Sequence, residues 1–376
     1  MHVALLKSKA RHAGGLEKHA ARIALAFAER GAKVTLLTTG VPPPSPHSAI
    51  AFRSFPTLPW PPFLKMDQFD RQVQSWVKRE APDLVLGMDR NRSQTHFRAG
   101  NGVHIAYLKS RIAPEGKIKY WACRCNPMHQ KILQIEKEAF ESPHLRKLFA
   151  NSAMVRAQLL EHYAIDPAKI EVIHNGVEWD EMQADFATWE EKKKEACLAR
   201  DLDPDQFHFL FIGNGYLRKG LLPLLRALSQ LRDRSFSLSI VGNEKQIPFY
   251  QQEAQRLGLT EHARFFGPQA NILPFYQLAD ALVIPSFYDP FANVTVEALA
   301  MGLFVVSSQH NGGSEVLTAK TGEIIENLLD PDSLLASLQT AMRHPKTPTS
   351  AREIRKSIRA LDFSHQLGKL IEGCCE

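Results

Sequence analysis

Short, nearly solid apolar runs alternate along the chain with stretches in which apolar positions recur every three or four residues. Residues 2–6 (HVALL) form the first run, and Leu16, Ala20, Ile23, Ala24 and Phe27 follow at helical spacing. Gly31 ends that stretch and the next run is 33–38 (KVTLLT). A solid run of four to eight residues reads as a strand buried on both faces, and the intervening periodicity as a helix over 16–30. Strand, helix, strand at this spacing predicts a βαβ unit and hence a parallel sheet. Further strands are predicted at 84–88, 147–150 and 170–173, with helices at 132–140 and 154–163. The proline-rich stretch 41–64 (VPPPSP, FPTLPWPPF) predicts a loop or an edge excursion.

His174-Asn175-Gly176 is a turn signal, and a second series begins beyond it. Strands are predicted at 207–212, 236–241, 263–266, 281–285 and 304–307, with helices at 221–231, 250–257, 272–278 and 294–300 between them. The charged stretch 178–205 predicts a surface linker and helix, and 351–370 an amphipathic helical pair able to pack back on the first half. The fold class is α/β, with two doubly wound Rossmann-like domains. The domains are residues 1–176 and 177–350, with helices at 351–376 returning to the first.

Composition narrows the class without naming a function. The 376 residues are 44% apolar and 23% charged, ordinary globular usage, which excludes a disordered or collagen-like chain. No run approaches the roughly 18 apolar residues of a spanning helix, and the first apolar run is too short for a signal peptide. Five scattered cysteines make no disulfide framework, so a reducing cytoplasm is expected. The net charge of +6 is uneven: residues 1–176 hold 26 Lys and Arg against 14 Asp and Glu, and the remainder holds 20 against 26. A basic first half suits an acidic substrate or an anionic membrane surface better than nucleic acid, because no nucleic-acid motif accompanies it.

Three sites carry candidate chemistry. Gly14 and Gly15 lie between a strand and a helix start, where either a ligand-approach loop or a plain turn fits. The loop 213–220 (GNGYLRKG) opens as GxG but has Arg218 where a dinucleotide fingerprint needs glycine, and it lacks Walker A spacing. Instead it sets Arg218 and Lys219 beside backbone amides, which suits a diphosphate. Third, Asp289 follows the strand 281–285, and Glu297 lies eight residues on in the next helix. Such carboxylates can accept hydrogen bonds from sugar hydroxyls at the carboxyl end of a sheet. No Asp-x-Asp metal motif occurs in a credible loop, since Asp201-Leu202-Asp203 falls in the charged linker.

The ordered set of motifs resembles retaining glycosyltransferase family 4. It comprises Asn151-Ser152, the VIHNGV run at 172–177, FIG at 211–213 through Arg218-Lys219-Gly220, IVG at 240–242, FFG at 265–267, DPFANVTVEALAMG at 289–302, NGGSEV at 311–316 and Thr321-Gly322. The resemblance implies a GT-B fold, two Rossmann-like domains facing a central cleft. It implies a hexosyltransferase-type enzyme using a nucleoside-diphosphate sugar, UDP-glucose first, with retention and without a metal or other cofactor. Arg218 and Lys219 would bind the diphosphate, Glu297 the ribose hydroxyls and Asp289 the donor sugar, with Phe266-Gly267 near the base. Gly14, Gly15, Gly213, Asn214, Pro290, Phe291, Ala292 and Asn293 would complete the donor site. Asp289 stands where the family usually has glutamate, and Phe304 where it usually has proline.

The segment 100–111 (GNGVHIAYLKSR) resembles lipopolysaccharide-core glycosyltransferases, which often have aspartate at the place of Asn101. It would put His104 beside the donor sugar or the acceptor hydroxyl as a catalytic residue. The basic residues around it suit an acidic glycolipid acceptor at the inner face of the membrane, with the enzyme peripheral to it. Trp60, Phe63, Leu64 and Lys65 are either an interfacial contact or a covered loop. A transferase for another glycan or a small acceptor stays open, as do a nucleotide-sugar epimerase or hydrolase of the same fold and a sugar-binding protein without activity.

Overall fold

The computed structural model describes residues 1–8, 15–40, 47–58 and 60–376, and of the helix that begins at Gly15 it describes side chains from His19 onward. Gly14 lies outside the described residues. The chain divides into two compact units, one of Met1–Ile173 with Gln366–Glu376 and one of His174–His365. The sequence reading set its boundary three residues later, at 176.

In the first unit β1 (His2–Leu6), β2 (Lys33–Thr38), β3 (Ile50–Ser54), β4 (Leu84–Gly87), β5 (His96–Ala99), β6 (Lys147–Ala150) and β7 (Ile170–Val172) form one sheet in the order β3-β2-β1-β4-β5-β6-β7. All of its pairings are parallel. Ile23, Ala24 and Phe27 of the helix Gly15–Glu29 cover one face, packed on Val3, Leu5 and Val34. The other face is closed by Phe69, Val73 and Trp76 of the helix Pro62–Glu80, against Ala4, Leu6 and Val85.

In the second unit β8 (Phe207–Ile212), β9 (Phe236–Val241), β10 (Ala263–Gly267), β11 (Ala281–Ile284), β12 (Phe304–Ser308) and β13 (Gly322–Ile325) are ordered β10-β9-β8-β11-β12-β13, again parallel. Each sheet reverses its winding once, between β1 and β4 and between β8 and β11. Crevices that accept ligands open at such reversals, beyond the carboxyl ends of the strands.

The sequence reading names no strand at β5 or β13 and no helix at 104–125 or 331–342, and three further stretches differ from it. The proline-rich 41–64 contains the edge strand β3 and the start of the helix Pro62–Glu80. Proline is compatible with both, since an edge strand and a first helical turn each spare an N–H. Residues 178–205 are more than a surface linker: Phe186, Trp189, Ala196 and Cys197 are buried in the second unit's core. The C-terminal helices part company. Ala351 and Ile354 of the helix Pro348–Ser357 pack in the second unit, while Leu370, Ile371 and Cys374 of the helix Phe363–Cys375 join the first. Only the last helix makes the return that the sequence suggested for both.

Candidate active site

The winding reversal of the second sheet is built from the loop after β8 and the loop after β11. Gly215 and Gly220 have φ of 74° and 77° and bracket the short helix Tyr216–Lys219. A Cβ at Gly220 would stand 1.9 Å from the Pro285 carbonyl oxygen, so only glycine lets the two loops approach. Likewise a Cβ at Gly242 would meet the Gly213 oxygen at 2.1 Å. Asn214 Oδ1 accepts from the Asn243 amide at 2.7 Å, and Glu244 Oε2 accepts from the Tyr216 amide at 2.9 Å. The glycine loop is therefore fixed against its neighbours.

Arg218, Lys219 and Asp289 meet there. Lys219 Nζ donates to Asp289 Oδ2 at 2.7 Å, and Arg218 Nη1 donates to the same oxygen at 3.2 Å and to the Tyr288 carbonyl at 2.7 Å. Burial by itself would raise the Asp289 pKa, but the charges of Lys219 and Arg218 outweigh it and hold the carboxyl below its ordinary value. The loop carrying Asp289 is pinned from the end of β12: its amide donates to the His310 oxygen and its own oxygen accepts from the Gly312 amide, both at 2.9 Å. Buried Asn311 Oδ1 accepts from the Ala292 and Gly313 amides at 3.0 Å. Phe291 is buried with its ring 5.6 Å from that of His174, and Asn293 Oδ1 accepts from Asn175 Nδ2 at 2.7 Å.

Glu297 lies on the helix Asn293–Ala300, and its Oε2 accepts from the Tyr276 hydroxyl at 2.7 Å. Burial, then the Glu297 charge, raises the Tyr276 pKa, which keeps that hydroxyl a donor. Phe266 packs edge-on against Phe275, and its carbonyl accepts from Gln269 Nε2 at 2.8 Å. Sequence reasoning missed Tyr276 and Glu244, which hold candidate residues in place and belong to no local pattern that marks such a role, and it gave Asn311 of the NGGSEV run no part beyond the motif.

In the first unit, His104 opens the helix His104–Ser110. Its amide donates to both carboxylate oxygens of fully buried Glu136, at 3.1 and 3.3 Å. Glu136 also accepts from Arg90 and from the Tyr163 hydroxyl at 2.7 Å. The His104 and His129 rings approach at 3.0 Å between Nε2 and Nδ1. Glu136 carries a signal that the sequence reading passed over, a carboxylate among Ile135, Ala139 and Phe140 on the apolar face of the helix Pro127–Phe140. At this sheet's winding reversal Lys7 Nζ donates to Asp89 Oδ1 at 2.9 Å, and the Ser8 amide and hydroxyl donate to Oδ2 at 2.7 Å. Gly15 is the first residue of its helix.

Burial, then the charges of Arg90 and His129, pushes the His104 pKa down to about 3. The ring is neutral in the folded protein and free to charge in the unfolded chain near 6.5. Its contribution is thus fully present above pH 6.5 and is lost as the pH falls toward 3. Between pH 7 and 5 that amounts to about 2 kcal/mol of unfolding free energy. Urea unfolding at the two pH values should show the loss, and His104→Asn should make it smaller. An unchanged slope in the variant rejects this account.

The description "Glycosyltransferase Family 4" matches residues 13–181, and "Glycosyl transferases group 1" matches residues 193–358. The chain belongs to the glycosyltransferases. A D-inositol 3-phosphate glycosyltransferase of Paenarthrobacter aurescens is 25% identical to it over 344 residues, covering 84% of this chain and 81% of the relative. The lipopolysaccharide glucosyltransferase WaaG of Escherichia coli K12 is 22% identical over 334 residues, 88% and 86% of the two chains. A crystal structure of WaaG superposes on this glycosyltransferase with a TM-score of 0.79 at 21% identity, covering 98% of each chain. Anabaena Alr3699/HepE in complex with UDP and glucose superposes at 0.69 and 16% identity, covering 100% and 99%. At these identities the two structures establish the GT-B fold. Among the described residues no group of three or more His, Cys, Asp or Glu is placed to hold a metal ion.

Proposed function

We propose that this glycosyltransferase moves a hexosyl group, with retention and without a metal, from a nucleoside-diphosphate sugar to a lipopolysaccharide-core-like glycolipid. UDP-glucose is the first donor to test. The observation that carries the reading is the convergence of Arg218 and Lys219 with Asp289 at the winding reversal of the second sheet. The UDP and glucose bound by HepE and the acceptor class in the name of WaaG support the choice of donor and acceptor.

In the reaction the bond from the anomeric carbon to the diphosphate oxygen breaks, through an oxocarbenium-like state. Negative charge grows on the leaving diphosphate, where Arg218 and Lys219 stabilise it with fixed positive charge. The acceptor oxygen bonds to the anomeric carbon on the leaving-group face, and its proton passes to the departing phosphate. Asp289 faces the sugar and Glu297 the ribose, with Asn214, Phe266 and the loop Pro290, Phe291, Ala292 and Asn293 shaping the donor site. His104, neutral by burial, acts as a hydrogen-bonding group toward sugar or acceptor.

Melting temperatures with UDP, GDP, ADP and their sugars, with and without EDTA, test the donor half. One nucleotide is expected to raise the melting temperature equally under both conditions, by mass action. A shift abolished by EDTA sinks the metal-free reading. Proton NMR of the product reads the anomeric outcome, and inversion rejects the mechanism. Full donor turnover in water without acceptor favours the epimerase or hydrolase alternative.

The membrane half rests on the helix Lys117–Cys125, which buries no residue. Ile118 is 89% exposed and Trp121 63% exposed, beside Lys117 and Lys119. Trp60 and Leu64 are exposed as well, while Phe63 and Lys65 are half-buried. Among the described residues no helix is long and apolar enough to cross a membrane. Exposed apolar side chains flanked by lysines suit the interface of an anionic leaflet. The protein should sediment with phosphatidylglycerol vesicles and not with phosphatidylcholine alone. The double substitution Ile118→Asp, Trp121→Asp should abolish this; retention by the variant rejects the surface.

A further inference from the structure

Asp289 takes both cations of the donor loop on a single oxygen. Oδ2 accepts from Lys219 at 2.7 Å and from Arg218 at 3.2 Å, and Oδ1 lies outside both contacts. The Lys219 side chain is only 9% exposed. An ammonium group that far from water needs a compensating anion, and without one it is strongly destabilising. In this structure Asp289 is that anion. A diphosphate that binds Arg218 and Lys219 must compete with the resident carboxylate for the same N–H groups. It carries more charge and more acceptor oxygens than a carboxylate, so it wins the contest at sufficient concentration.

We infer that Asp289 is a displaceable counter-ion. An entering diphosphate takes over Lys219 and Arg218, and the released carboxylate turns to the hydroxyls of the donor sugar. The inference rests on the reading of Arg218 and Lys219 as diphosphate ligands. Two features make the exchange local. The Asp289 backbone is held on both sides, by the His310 oxygen and the Gly312 amide. Only rotation of a short side chain is then required, and the loop stays in place. Arg218 keeps its bond to the Tyr288 carbonyl at 2.7 Å, which aims the guanidinium whether or not the carboxylate is near.

The arrangement orders the binding events, because the carboxylate is free to engage sugar only after a diphosphate has seated. It also assigns Asp289 two effects of opposite sign: it weakens anion binding and it promotes transfer. A residue that merely supported the loop would, when replaced, lower both.

Inorganic pyrophosphate tests the cation site independently of the base and sugar. Titration calorimetry should show pyrophosphate binding at least tenfold more tightly to Asp289→Asn than to the wild type, while transfer from UDP-glucose falls. Equal or weaker pyrophosphate binding by this variant overturns the inference. Lys219→Met, titrated in parallel, checks the underlying reading and should bind pyrophosphate at least tenfold more weakly than the wild type. Wild-type affinity in that variant places the diphosphate elsewhere and overturns both. If Asp289→Asn does not fold, a crystal structure of the wild type with pyrophosphate decides. Separation of Lys219 Nζ from Asp289 Oδ2 beyond hydrogen-bond reach supports displacement, and a contact unchanged at 2.7 Å rejects it.

Discussion

Lys219→Met is expected to lower the rate of sugar transfer about a hundred- to a thousandfold, the usual loss when one fixed donor to a developing negative charge is removed. The size of the effect follows from the setting. Lys219 is buried, and its charge is held within hydrogen-bond distance of Asp289 by a loop whose Gly213 and Gly220 permit close approach to the Lys219 side chain and to Pro285. Methionine fills similar volume and removes only the charge and the donors. Steady-state rates at saturating donor read the leaving-group role, because weakened donor affinity alone is hidden there. A variant within tenfold of the wild type rejects leaving-group stabilisation by this residue. The unfolding midpoint should be measured alongside, since Asp289 then retains Arg218 as its only cationic partner among the described residues.

Asp280→Ala is expected to cost about 3–5 kcal/mol of stability in the second unit, the range for breaking a buried pair by removing one partner. Asp280 is nearly inaccessible and gathers donors from three distant parts of the chain. Its oxygens accept from Lys193 Nζ at 3.0 and 3.2 Å, from the His208 amide at 2.9 Å and from the Lys346 amide at 3.1 Å. Alanine would leave these donors facing a small, poorly hydrated space. The neighbouring Lys346 side chain reaches the Tyr276 carbonyl at 3.0 Å and lies 4.1 Å from the centre of the Trp189 ring. Burial lowers its pKa, with Asp280 opposing that effect, so removing Asp280 also removes support for the Lys346 charge. Urea unfolding of both proteins at pH 7 measures the loss, and a change under about 1 kcal/mol rejects this account.

The Asp280 cluster marks where local reading fails. The stretch WEEKKKEACLAR at 189–200 has the composition of a solvated helix, and most of its charges are indeed exposed. Yet Lys193 turns inward to Asp280, and Arg200 lies 4.5 Å from the centre of the Phe275 ring. Whether a lysine meets water or a carboxylate 87 positions away is set by the packing of the helix, which no window of neighbouring residues contains. The segment after Gly100 shows the converse. His104 was legible as a candidate because it stands in a motif, but its bond to the buried Glu136, 32 positions further on, was not. Ile118 and Trp121 are large apolar residues, and only the fold leaves them bare.

By itself the sequence determined the alternation of strand and helix, the parallel character of both sheets and the two loops that carry Arg218, Lys219, Asp289 and Glu297. Those features depend on periodicity and on turn residues, which act over a few positions and so are written locally. The tertiary structure alone decided that Lys219 and Arg218 share one oxygen of a residue about 70 positions away. It also decided that Glu136 anchors the His104 helix and that the two C-terminal helices belong to different units. Each of these is a choice of partner between distant segments. Strand order and packing settle such choices, because a buried charge or an apolar face accepts whichever complement the completed fold places against it.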